Sequence, residues 1–214
     1  MSGGVDEALR KLLGASESLD EDLGKLLRKC RPTDRRGLIG LALCGAAYEH
    51  AVSQRLLLEA GLTGTALALC RLHFEAVVRA VWTIQCANDA WLEDFTTPVE
   101  AAEHREPASQ VAVGRMLDHI ERDVPHVAEQ FRLLASTIKA MHSFVHSGSL
   151  AVVHSLMPEY PQEKLIAMLM NRNLLHLYVA NACIIAAQDP NLVPRMRLLR
   201  EKHANCMPSL PSKL

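Results

Sequence analysis

Apolar residues recur at helical spacing along almost the whole chain, and nowhere with the alternation of a strand. The first helical stretch covers 5–13. A second starts at Ser18, with Leu19, Leu23, Leu26 and Leu27 on one face, and Arg31-Pro32 ends it. Thr33 or Asp34 caps a third helix that reaches about Ala60, where Gly61 is a natural stop. A long helix from Thr63 or Thr65 to about Ala87 follows, then a short piece carrying Trp91 and Phe95. Residues 99–106 read as a loose acidic connector. Further helices are predicted from Pro107 to about Val124, from Pro125 to Ser147-Gly148, over 162–188 and over 193–203. Residues 149–161 form a loop or a short helix, and the end of the chain frays.

These elements imply an all-α fold, a single-domain helical bundle of about seven or eight helices. An N-terminal helical segment (1–31) precedes the bundle domain (32–206), and 207–214 is a flexible tail. A length of 214 residues suits one domain. The stretch GLIGLALCGAA (37–47) is rich in small residues, which let helices approach closely, in the core or at a dimer seam. The longest apolar run, 165–187, is about as long as a membrane span. Asn171, Arg172, Asn173, His176 and Asn181 interrupt it, and such groups are costly in lipid, so it reads as a buried helix with no membrane partner.

Composition narrows the function classes. Apolar residues make up 49% of the chain, enough for a packed core. With 23 Lys+Arg against 24 Asp+Glu there is no basic footprint for coating nucleic acid. Two Trp, three Tyr and four Phe leave few platforms for stacking bases. No two of the six cysteines fall within four residues of each other, which excludes a CxxC site, and most lie in apolar helical stretches. They read as reduced, buried thiols of a cytoplasmic protein. The N-terminus has no apolar stretch of signal-peptide type. Phosphate loops, dinucleotide fingerprints and nucleophile elbows are absent.

Two helices carry charge where the apolar pattern expects none. On the 65–87 helix, Arg71, Glu75 and Arg79 fall at i, i+4 and i+8. The rest of that helix is apolar nearly all round, so it is mostly buried, and Arg71 and Glu75 must pair with each other or a neighbour. Either they form an ion pair that fixes helix register, or they line a pocket. On the 125–147 helix, Lys139, His142 and His146 lie together beside an apolar stripe, with His146 at the helix end. Three roles compete for them: packing and capping, acid–base chemistry, or a metal site needing a further ligand such as Glu75 or Glu49. Glu49-His50, His154 and the polar groups of the last long helix are further pocket candidates. Arg195, Arg197, Arg200 and Lys202 read as a solvated face able to contact an anion.

The pattern AYEHAVSQRLLLEAGLTGTALALCRLHFEAVVRAVW, with IKAMHSFVHSG much later, resembles a group of bacterial all-helical proteins similar to the HEPN superfamily. The matched positions are Glu49, Arg71, Glu75 and His146 with Ser147-Gly148. HEPN bundles often dimerise, so the resemblance implies a homodimer. HEPN ribonucleases carry an Arg, then four to six residues, then a His on one helix. The resemblance maps these to Lys139 and His146, with Lys in place of Arg, a point charge in place of a bidentate clamp. It implies that His146 acts as general base or acid on a ribose 2′-hydroxyl. Lys139, helped by Arg71, steadies the phosphate, with no metal or cofactor and a 2′,3′-cyclic phosphate product. Several HEPN relatives act instead as binding partners.

Three functions therefore stand: a non-catalytic regulatory or defence-type protein acting through a protein partner or small ligand; a metal-independent ribonuclease acting on RNA through His146, Lys139 and His142, with Arg71, Glu75, Arg79 and Glu49 around them; and a metal-binding helical bundle.

Overall fold

The computed structural model describes residues 3–96, 111–157 and 159–208. Among the described residues the chain forms nine α-helices and no strand. They are α1 (Gly3–Leu27), α2 (Arg35–Glu59), α3 (Thr63–Gln85), α4 (Asp89–Thr96), α5 (Val113–Asp123), α6 (Pro125–Val145), α7 (Ser149–Ser155), α8 (Gln162–Ala187) and α9 (Val193–Lys202). Short 3₁₀ turns at Pro190–Leu192 and Ala204–Cys206 flank α9. The predicted connector at 99–106, the start of the helix predicted from Pro107 and most of the predicted tail lie outside the described residues.

Local chemistry sets the helix ends. The Asp34 carboxylate accepts from the Gly37 N–H at 2.6 Å and caps α2. Gly61, at φ +74°, turns the chain after α2 in the left-handed region that a Cβ disfavours. Pro125 opens α6, where its missing N–H is harmless. Ser147 (φ +51°) closes α6, and Gly148 N–H returns to Ser143 O at 2.7 Å. The Ser143 hydroxyl then accepts from Leu150 N–H at 3.0 Å, so the end of α6 caps the start of α7.

The two stretches predicted at 5–13 and 18–31 are one helix. Gly14-Ala15-Ser16 does not break it, and the Ser16 hydroxyl satisfies itself within the helix by bonding back to Leu12 O at 2.7 Å. Leu12, Leu19, Leu23 and Leu26 form one buried stripe that joins the common core. The central element is α3, which packs against α2, α5, α6 and α8. Trp82 of α3 meets Trp91 of α4 edge-on, ring centroids 4.7 Å apart, and Trp91 stacks on Phe95.

The small residues of α2 serve core seams. A Cβ on Gly37 would come 2.7 Å from Ala186 O of α8, and one on Gly40 would come 2.5 Å from Ile84 Cγ1 of α3. No helix among the described residues is long and apolar enough to cross a membrane. All six cysteines are free thiols, five of them buried and Cys86 half-buried.

Candidate functional site

α1, α2 and α8 meet over a buried polar network centred on Asp20. Its carboxylate accepts from Arg55 Nε at 2.8 Å and, on its other oxygen, from Arg172 Nη2. His176 Nε2 stands 3.2 Å from the oxygen that Arg172 binds, off the line of a good hydrogen bond. Arg172 also donates from Nε to Ala51 O (3.1 Å) and from Nη1 to Asn173 Oδ1 (2.8 Å). Asn173 in turn donates to Ser16 Oγ and to Cys206 O. Arg55 reaches Glu59 at 2.8 Å. Each buried charge thus has an opposite partner and hydrogen bonds, the arrangement that makes burial tolerable. Burial alone would raise the Asp20 carboxyl. His176 and Arg172 outweigh it and hold the group at about 2, below the ordinary 3.8.

His176 lies flat against Tyr48, ring centroids 5.6 Å apart, and meets His73 edge-on at 5.8 Å. Burial, with the Arg172 charge beside it, lowers His176 to about 4. His73 is fully buried and falls well below its ordinary value, through burial first and then His176, Arg172 and His50. Both imidazoles are therefore neutral at pH 7. Neither ring nitrogen of His73 meets a hydrogen-bonding partner among the described residues.

His73 lines a cavity of about 170 Å³ between α3, α6 and α8, walled mainly by Leu67, Leu134, Ile138, Met141, Met168 and Leu175. Polar groups enter at Gln54, Cys70, Tyr160, Asn171 and Arg172, and the exposed Thr137, Lys164 and Ala167 stand at its rim. Burial pushes the Cys70 thiol up to about 12, so it is no nucleophile there. A neutral imidazole supplies one donor and one acceptor, and both are uncommitted among the described residues, in the wall of a space large enough for a small molecule.

Of the residues singled out from sequence, Arg71, Glu75, His142 and His146 meet where α3 and α6 face each other. Arg71 Nε donates to Glu75 Oε1 at 2.7 Å, and Arg71 Nη1 contacts His142 Nδ1. His142 lies against His146, ring centroids 4.2 Å apart. Arg71, Glu75, His142 and His146 therefore form one chain of contacts, although Arg71 and His146 belong to different helices. The Arg71–Glu75 pair is not buried, with side chains 35% and 30% exposed. The expected ion pair forms and is half-buried, with α6 covering only part of that face. Lys139 is exposed on α6 and makes no ion pair among the described residues. Arg79 is half-buried one turn beyond Glu75, and Glu49 is exposed on α2. Among the described residues no group of three or more His, Cys, Asp or Glu side chains is placed to hold a metal ion.

Sequence reasoning missed His73, Asp20 and Arg55. His73 had a signal: it stands three residues after Cys70 and four before Val77, on the apolar face of α3, where no polar group is expected. Asp20 had one too, lying beside Leu19 and Leu23 in the buried stripe of α1.

These features define an all-helical bundle whose polar residues gather in a buried network among α1, α2 and α8 and along the packing of α3 and α6. The chain belongs to the family of unknown function DUF6988, which it matches over residues 44–209. The match runs from the middle of α2 past α9 and leaves out α1, which carries Asp20. No match is found among curated proteins or among solved structures.

Proposed function

We propose that the protein is a non-catalytic regulatory bundle that binds a small ligand in the cavity between α3, α6 and α8. The observation that carries this reading is His73, fully buried in the cavity wall with neither ring nitrogen hydrogen-bonded among the described residues. A buried polar group without a partner costs about 1–3 kcal/mol, and a ligand that supplies the partner recovers it. The six free thiols support a reducing, cytoplasmic setting. The test is a thermal-shift screen of small metabolites on the wild type and on Ala167→Trp, which crowds the rim. Hits whose stabilisation disappears in the variant support the reading. A set of hits indifferent to Ala167→Trp refutes it.

A second reading, an HEPN-like metal-independent ribonuclease, is favoured by one observation: the joining of Arg71, His142 and His146 on one surface. Lys139 and Arg71 would steady a phosphate there while His146 moves the proton of a 2′-hydroxyl. A homodimer belongs to this reading, supported by the exposed apolar side chains Val152, Val153 and Leu156 of the adjoining α7 segment. Cleavage of labelled RNA in EDTA by the wild type, lost in His146→Ala, would establish the enzyme. Its absence from the wild type would leave the cavity reading alone. Sedimentation velocity tests the dimer, which Leu156→Glu should dissociate.

A further inference from the structure

The cavity also says what kind of molecule it suits. Its volume of about 170 Å³ is near that of a dry protein cavity of ~150 Å³ that accepts benzene. The walls are aliphatic, and the Met141 and Met168 thioethers are soft partners for an aromatic ring. The charged group in the wall, Arg172, is already committed. Its carboxylate partner is Asp20, and its Nε and Nη1 donate to Ala51 O and Asn173 Oδ1. An anion entering here would lose its water without gaining a free countercharge in the interior, and a cation would meet Arg172. Of the fully buried polar groups in the wall, Gln54, Cys70 and Arg172 are hydrogen-bonded, and the neutral imidazole of His73, with one donor and one acceptor, has no partner among the described residues.

We infer that the cavity takes an uncharged, ring-sized apolar molecule bearing a single hydroxyl or similar donor–acceptor group that bonds His73, the chemistry phenol represents. This rests on the reading of the cavity as the binding site. The ring fills the space among Leu134, Ile138 and Met168, and the hydroxyl supplies a hydrogen bond that His73 finds nowhere else among the described residues. Lys164 at the rim keeps its charge in water.

The experiment is calorimetric titration of the full chain with phenol, toluene and benzoate, three rings that differ in their polar group. Phenol is expected to bind roughly tenfold more tightly than toluene, the worth of one buried hydrogen bond, and benzoate more weakly than phenol. In His73→Leu the advantage of phenol over toluene should vanish while toluene still binds. A measurement on the wild type guards against a variant that misfolds. With ¹⁵N-labelled histidine, phenol should move one imidazole signal that toluene leaves in place. Equal affinity for phenol and toluene, or tightest binding of benzoate, would overturn the inferred ligand chemistry while leaving the cavity a binding site. Binding of none of the three at millimolar concentration would overturn both.

Discussion

Replacing His73 by leucine should raise stability by about 1–3 kcal/mol, because it removes a buried imidazole with no hydrogen-bonding partner among the described residues and leaves an apolar side chain of similar size. Urea denaturation measures this, and a loss of stability would mean that the imidazole is satisfied within the fold. Asp20→Asn should act in the opposite direction. Arg172 is fully buried and would keep its charge without a carboxylate, at a cost of about 3–5 kcal/mol. Glu75→Ala should cost under about 1 kcal/mol, since the pair it breaks is a third exposed and screened by water. The contrast between Asp20 and Glu75 shows what the sequence could tell. Spacing of four residues was enough to pair Arg71 with Glu75 and to set His142 beside His146. It carried no information on how deeply a face is covered, which depends on α6, more than fifty residues downstream. The partner of Arg172 was equally invisible, because Asp20 lies 152 residues away.

At the scale of helices the sequence was more legible. Asp34, Gly61, Pro125 and the Ser147-Gly148 pair each end or begin a helix for local reasons, and the structure uses all of them. The exception is the break predicted after residue 13. One continuous leucine stripe packed on α2 and α8 carries α1 through Gly14 and Ser16. The glycines of α2 separate into two kinds. Gly37→Ala sets a methyl 2.7 Å from the Ala186 carbonyl oxygen, a backbone atom that cannot turn aside, so α2 must retreat from α8. The expected cost is about 1–3 kcal/mol. At Gly45 a methyl meets nothing within 4 Å, and Gly45→Ala should stabilise by about 0.5–1 kcal/mol. Paired urea curves of the two variants check both signs, and a shared sign would contradict the packing of α2 on α8.

For the whole molecule the buried titratable groups set a response to acid. His176 binds its proton at about 4 in the fold against 6.5 ordinarily, and His73 is displaced the same way. The unfolded chain therefore takes up more protons below pH 6.5, and the stability present above that pH declines as pH falls toward 4. Asp20, at about 2 in the fold against 3.8, extends the loss below pH 3.8. Denaturation midpoints at pH 7.5, 5 and 3 should fall in that order, and His73→Leu should reduce the first drop. The distance between Asp20 and Arg172 has a further consequence during synthesis. A ribosome adding ~5–20 residues per second needs about 8–30 s to make the intervening 152 residues. Through that interval Asp20 has Arg55 but lacks the Arg172 guanidinium, and α1 lacks α8, the helix against which it also packs. The expected outcome is a bundle that closes late on its first helix. Nascent chains stalled before Arg172 should be cut readily within α1 by protease, whereas chains released at full length should be protected there.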